Sequence, residues 1–216
     1  MQNAEWPGIL DADALNPDYV DEVHRLVDAA KADDWAAVFA LLDAPIRASI
    51  NQWRIGGKSW FTPLHQAAFL GAPVDVVEEL VRRGAWRSLR TADGDRPIDL
   101  AEKNGHRHLL ETLAVHTPDD RERRRFAAWD RHLAALIAER TERLDTVRFR
   151  PVPTEVIALE AFETLWFHFP GMYGGFGMSI HRDRLFVESW SRVVGGSGQA
   201  HVITEAGCVL VEEGFV

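Results

Sequence analysis

The side chains best suited to chemistry stand in the last third of the chain. Ser189 and Ser197, with His201 and either Glu188 or Glu205, supply the residue types of a nucleophile, a base and an orienting carboxylate. Neither serine lies in a nucleophile-elbow sequence, and nearness along a chain is not geometry. His168, His181 and His201 are three imidazoles on neighbouring segments, but they lack short ligand spacing and a cysteine cluster. Gly195-Gly196-Ser197-Gly198 could cradle an anion on its backbone amides, although no Lys-Ser/Thr follows it as in a phosphate loop. Cys208 is the only cysteine, which excludes an intrachain disulfide, and its apolar run reads as core. The residues of hydrolysis and of metal binding are thus present without their patterns, and no catalytic residue, cofactor or metal is assigned.

The elements that would position these groups read as short strands. Leu165-Trp166-Phe167-His168-Phe169 is an apolar run ended by Pro170-Gly171, and Phe176, Met178 and Ile180 alternate with Gly177 and Ser179. His181-Arg182-Asp183-Arg184 is a polar turn, and Leu185 to Val193 is a third strand. In it Phe186 and Trp190 are expected on the buried face with Val187 opposite. Glu188 would then be a buried carboxylate, paired with Arg192. Gln199 to Thr204, a turn at Glu205-Ala206-Gly207, and Cys208 to Val211 complete an antiparallel meander. Val156 to Phe162 is ambiguous, with a weak helical pattern. Ahead of it, Pro118-Asp119-Asp120 opens a helix whose Phe126, Trp129, Leu133, Leu136, Ile137 and Leu144 share a face as far as about Asp145. Its arginines, Arg121 and Arg123 to Arg125, read as a solvated face. The helix is expected to pack on the preceding helices or on the sheet.

A different kind of signal lies upstream. Thr62-Pro63-Leu64-His65-Gln66-Ala67-Ala68 is followed by Gly71, and Arg96-Pro97-Ile98-Asp99-Leu100-Ala101 is followed by Gly105; the step from Pro63 to Pro97 is 34 residues. Thr62 can cap a helix, Pro63 suits the first helical position, and Gly71 suits a left-handed stop. Val74, Val76, Val77, Leu80 and Val81 form a second stripe that ends at Gly84, and Leu109, Leu110 and Leu113 repeat it. This pattern resembles the ankyrin repeat, and the anchor spacing fits the ankyrin period. The resemblance implies a β-turn followed by two antiparallel helices in each repeat, and it makes His65 and His106 structural hydrogen-bonders rather than ligands. Val23, Leu26, Val27 and Ala30, then Trp35, Val38, Phe39, Leu41 and Leu42, read as a degenerate first repeat with Asp33-Asp34 where glycine would stand. The segment Ala44 to Trp60 is an insertion. Its Trp53 and Trp60 are either interface anchors or packed against the first repeat. The stretches Phe169 to Phe176 and Glu188 to Gly198 are similar to the ends of bacterial ankyrin proteins whose β-rich C-terminal region has no assigned activity.

The chain has 216 residues, 46% hydrophobic and 26% charged, with eight tryptophans and a net charge of −9. That charge argues against nucleic acid, because phosphate binding relies on Lys and Arg. The first fifteen residues lack a basic start, and no apolar run nears the ~20 residues that span a bilayer. A cytoplasmic protein without a membrane partner is therefore expected. The fold expected is α+β, a short ankyrin stack followed by a long helix and a small antiparallel β-meander. Its domains would be an extension at 1–17, about three repeats at 18–116, a connecting helix at 117–148 and a β-rich part at 149–216. The resemblance implies an adaptor, inhibitor or immunity-like protein that binds another protein through the concave face. By register that face comprises Lys58, Ser59, Phe61, Phe69, Leu70, Ala92, Asp93, Asp95, Lys103 and Asn104, with Trp53 and Trp60 beside it. The alternative is a small hydrolase or ligand-binding sheet, its pocket lined by Tyr173, Glu188, Ser197 and His201, with the repeats recruiting its substrate. Homodimerisation through the sheet edge or the Trp-rich insertion is a third reading.

Overall fold

A computed structural model describes residues 2–45, 48–160, 162–193 and 196–214. Gly195 of the expected glycine loop, Ala161 of the ambiguous stretch, and Ile46 and Arg47 of the insertion lie outside them. The chain divides into a helical unit, Leu10–His116, and a second unit made of Met1–Ile9 together with Thr117–Val216. This division does not follow the four expected segments. The first nine residues belong with the sheet, and the long helix shares that unit.

The helical unit is built from hairpins. Helices α1 (Pro17–Lys31) and α2 (Trp35–Leu42) form the first, α3 (Pro63–Leu70) and α4 (Val74–Arg82) the second, and α5 (Pro97–Lys103) and α6 (Leu110–Leu113) the third. In the third, a 3-10 turn at Arg107–Leu109 leads into α6. Asp33 adopts φ +63°, a left-handed turn residue in place of glycine, and Asp34 caps α2 by accepting from Ala37 N at 3.0 Å. Both stops at Gly71 and Gly105 are left-handed. At Gly71 a Cβ would also sit 2.5 Å from the His106 ring, so space and backbone both require glycine. Leu26, Val38, Leu64, Ala67, Ala68, Val77, Leu80, Ala101, Leu109 and Leu113 make one continuous core across the hairpins.

The second unit is a six-stranded sheet among the described residues, ordered β1 (Gln2–Glu5), β2 (Phe162–Phe169), β3 (Gly174–His181), β4 (Arg184–Ser191), β5 (Ser197–Ile203) and β6 (Cys208–Gly214). Strands β2 to β6 form the antiparallel meander, so the α+β class holds. Strand β1 was not expected. It runs parallel to β2, with Ala4 opposite Leu165 and Glu5 opposite Trp166. Behind it Trp6 is buried and donates from Nε1 to Arg150 O at 2.8 Å. Helix α7 (Asp120–Thr141) starts with a capping box between Asp119 and Glu122. Its buried Phe126, Trp129, Leu133, Leu136 and Ile137 lie with α8 (Thr154–Leu159) and the sheet.

The buried face of the sheet is the opposite of the one expected in β4. Leu185, Val187 and Ser189 point into the core, along with Leu165, Phe167, Phe169, Phe176, Met178 and Ile203. Phe186, Glu188 and Trp190 lie on the outer face, where Glu188 is exposed and has no need of Arg192. Both faces of β4 carry apolar residues, and the larger aromatic set is the outer one.

Candidate functional site

The second hairpin and the turns beside it carry the residues that the sequence register assigns to one binding face. The Thr62 hydroxyl caps α3, and the buried His65 ring returns the favour by accepting from Thr62 N at 3.2 Å through Nδ1. The Nε2 of the same ring lies 3.0 Å from Leu89 O, tying the helix to the next turn. That turn is closed by Thr91 N donating to Asp95 O at 2.8 Å, and Ala92 N donates to Ser59 O at 2.9 Å, joining successive turns side by side. On the helix beside them, Phe69 and Leu70 are 45% and 39% exposed. Phe61 stands edge-on to Phe69 with ring centroids 5.9 Å apart. Lys103 Nζ bonds both carboxylate oxygens of Asp95 at 2.6 Å. That bond raises the Lys103 pKa, so the ammonium is held firmly charged. Arg96 cannot cap α5 as threonine caps α3; instead the Asp99 carboxylate accepts from Arg96 N at 2.8 Å. Burial pushes the Asp99 pKa up, but the hydrogen bonds from Arg96 outweigh it and leave the group below its usual value.

The ankyrin-repeat family model matches residues 59–92. No curated protein matches the sequence. The matched repeat therefore runs from the Ser59 turn through α3 and α4 to the Ala92 turn. His106 fits a structural role too, its Nε2 standing 3.1 Å from Phe69 O.

Each residue expected on the binding face has a definite place. Lys58, Ser59, Ala92, Asp93, Lys103 and Asn104 are exposed, and Phe61 and Asp95 are half-buried. Trp53 is a correction: its side chain is 0% exposed, so no partner reaches it. Trp60 is half-buried against it, ring centroids 6.4 Å apart, in a left-handed conformation at φ +57°. The insertion is fixed by a single side chain, Asn51. Buried Asn51 donates to Gly84 O at 2.9 Å and accepts from Trp86 N at 2.8 Å, stapling the insertion to the end of α4. A lone Asn in a loop carries no sequence signal for such a role.

Of the groups that looked chemical, Ser189 and Ser197 meet on the Arg140 guanidinium on the face that carries His201, but neither expected carboxylate, Glu188 or Glu205, joins them. Ser189 is buried and its hydroxyl takes a bond from Arg140 Nε at 3.0 Å. Ser197 is bonded by the same guanidinium. His201 is buried on the inner face, where desolvation lowers its pKa, while Glu188 points outward from the next strand. His168 is on the outer face and His181 at an exposed hairpin end, so the three histidines share no site. Among the described residues no cluster of His, Cys, Asp and Glu is arranged to hold a metal. The expected pocket is also divided: Tyr173 and Glu188 line separate depressions, and Ser197 and His201 line neither. Cys208 is half-buried, with its pKa raised by burial, the reverse of an activated thiol.

Proposed function

We propose that the helical unit is a protein-recognition module that takes its partner on the face formed by the turns at 58–61 and 91–95 and the exposed end of α3. The carrying observation is the pair Phe69 and Leu70, both left exposed at the end of a buried helix and flanked by the Phe61 ring. Exposed large apolar residues rimmed by charge are the usual anatomy of a docking patch. Asp93, Asp95, Lys58 and Lys103 supply that rim, and Asn104, Ser59, Ala92 and Trp60 complete it. An adaptor or inhibitor role follows from this reading, with the partner a protein that presents an apolar anchor. The acidic balance of the whole chain favours a partner with a basic face.

The test is affinity capture from the native host with the wild type and with a Phe69→Arg, Lys103→Glu double variant. A third bait, Glu78→Arg, changes charge at an exposed position of α4. Proteins held by the wild type and Glu78→Arg but lost by the double variant support this face. Equal recovery by all three removes it.

A further inference from the structure

The outer face of the sheet carries a site independent of the binding face of the helical unit. Trp166 on β2 and Trp190 on β4 stack with ring centroids 5.0 Å apart and planes 20° from parallel, and His168 continues the row at 19° from Trp166. They can lie over β3 because that strand is bare there. A Cβ at Gly177 would stand 2.9 Å from the Trp166 ring, and one at Gly174 or Gly175 would collide with the Trp190 or Phe167 carbonyl. The result is a cavity of about 350 Å³ walled by Trp166, His168, Trp190, Tyr173 and Arg192, with Gly174 and Gly175 also lining it. That volume suits a small organic molecule.

Two features go beyond a sheet face filled by aromatic rings. Tyr173 is 78% exposed and adopts φ +50°, a conformation that glycine or asparagine would hold more easily. A bulky ring kept at a strained, solvent-facing turn beside a cavity has no core to serve. Arg192 stands next to it, because Arg192 N donates to Met172 O at 2.8 Å. Among the described residues the Arg192 guanidinium has no carboxylate partner, in a chain of net charge −9. It is also the one fixed charge among the wall residues. The carboxylates of Glu188 and Glu212 line a different depression, on the other side of Trp190.

We propose that this cavity binds a small flat carboxylate: the aromatic walls cover its apolar body and Arg192, with the Tyr173 hydroxyl beside it, takes the carboxylate. Glu188 and Glu212 beyond Trp190 orient the anionic end toward Arg192 by repulsion. The same chemistry is offered by a free aromatic acid and by an aromatic residue at a peptide C-terminus.

The test is calorimetric titration of the full chain with 2-naphthoate and with its neutral counterpart, 2-naphthalenemethanol. A second arm compares the peptide Gly-Gly-Trp as free acid and as amide. The expected result is that the acid of at least one pair binds about tenfold tighter than its neutral form, the selectivity of a charge-assisted hydrogen bond. The pair with the larger preference identifies the source. Arg192→Gln should erase the preference. Tyr173→Gly should weaken binding while raising the thermal midpoint, because it relieves the left-handed tyrosine; a fold defect would lower both. Absence of binding by both acids, or a preference that survives Arg192→Gln, overturns the proposal.

Discussion

Thr62 and Asp130 illustrate how single side chains set stability in the two units. Thr62→Ala removes the α3 cap and leaves the His65 ring without its hydroxyl neighbour, which stands 2.8 Å away. The expected loss is about 1–2 kcal/mol in urea unfolding. Asp130 accepts two bonds from Thr154, N and Oγ1, each 2.8 Å, yet burial still pushes its carboxyl above the ordinary aspartate value of 3.8. The folded state therefore binds this proton more tightly than the unfolded chain. Its stabilisation is complete below pH 3.8 and is lost as pH rises through the raised value. Asp130→Asn keeps an acceptor for Thr154, so its stability relative to wild type should improve as pH rises from 3.8 through the raised value. An offset that does not change with pH would disprove this assignment. Two aromatic residues separate packing from recognition: Trp53→Ala in the insertion should cost about 3–5 kcal/mol. Phe69→Arg, at an exposed position, should stay within about 0.5 kcal/mol and act on partner capture alone.

At the scale of elements, each helical hairpin depends on its stop. Gly71→Ala would force a left-handed alanine and drive a Cβ into the His106 ring. A loss of at least about 1–3 kcal/mol is expected by thermal or chemical unfolding. Gly84→Ala is the control, at φ +93° with open space around it, and should cost less. These hairpins were legible because their signals are local: a cap, a proline and a glycine within ten residues of one another report on the helix they enclose. The strands of the meander were legible for the same reason, since their turns carry Gly, Pro and Asp at short intervals. Strand β1 was not. Gln2-Asn3-Ala4-Glu5 has no β-branched or aromatic residue, and its pairing with β2 spans most of the chain. The buried face of β4 was misread because alternation fixes which residues share a face but not which face meets a helix. The sequence does not decide Trp53 for a related reason: tryptophan serves cores and interfaces alike. The exposure of Phe69 and Leu70 follows from their register with Pro63, whereas the role of Asn51 shows only in its distant partners.

For the whole molecule, two units imply two separable stabilities. Trp6 is fully buried in the unit that contains the sheet, while Leu10 onward belongs to the helices. Trp6→Ala should therefore lower hydrogen-exchange protection in β1, β2 and their neighbours by about 3–5 kcal/mol, up to the full stability of that unit. Amides of α3 and α4 should keep their protection. Uniform loss across both units would show that they unfold as one.

Strand β1 also imposes an order on biogenesis. Ala4 leaves the ribosome first, but its partner Leu165 is made roughly 8–30 s later at about 5–20 residues per second. The helices coded between them can complete their own folding in that interval. Holding the β1 segment away from the rest of the chain during translation would thus impair the sheet and spare the hairpins.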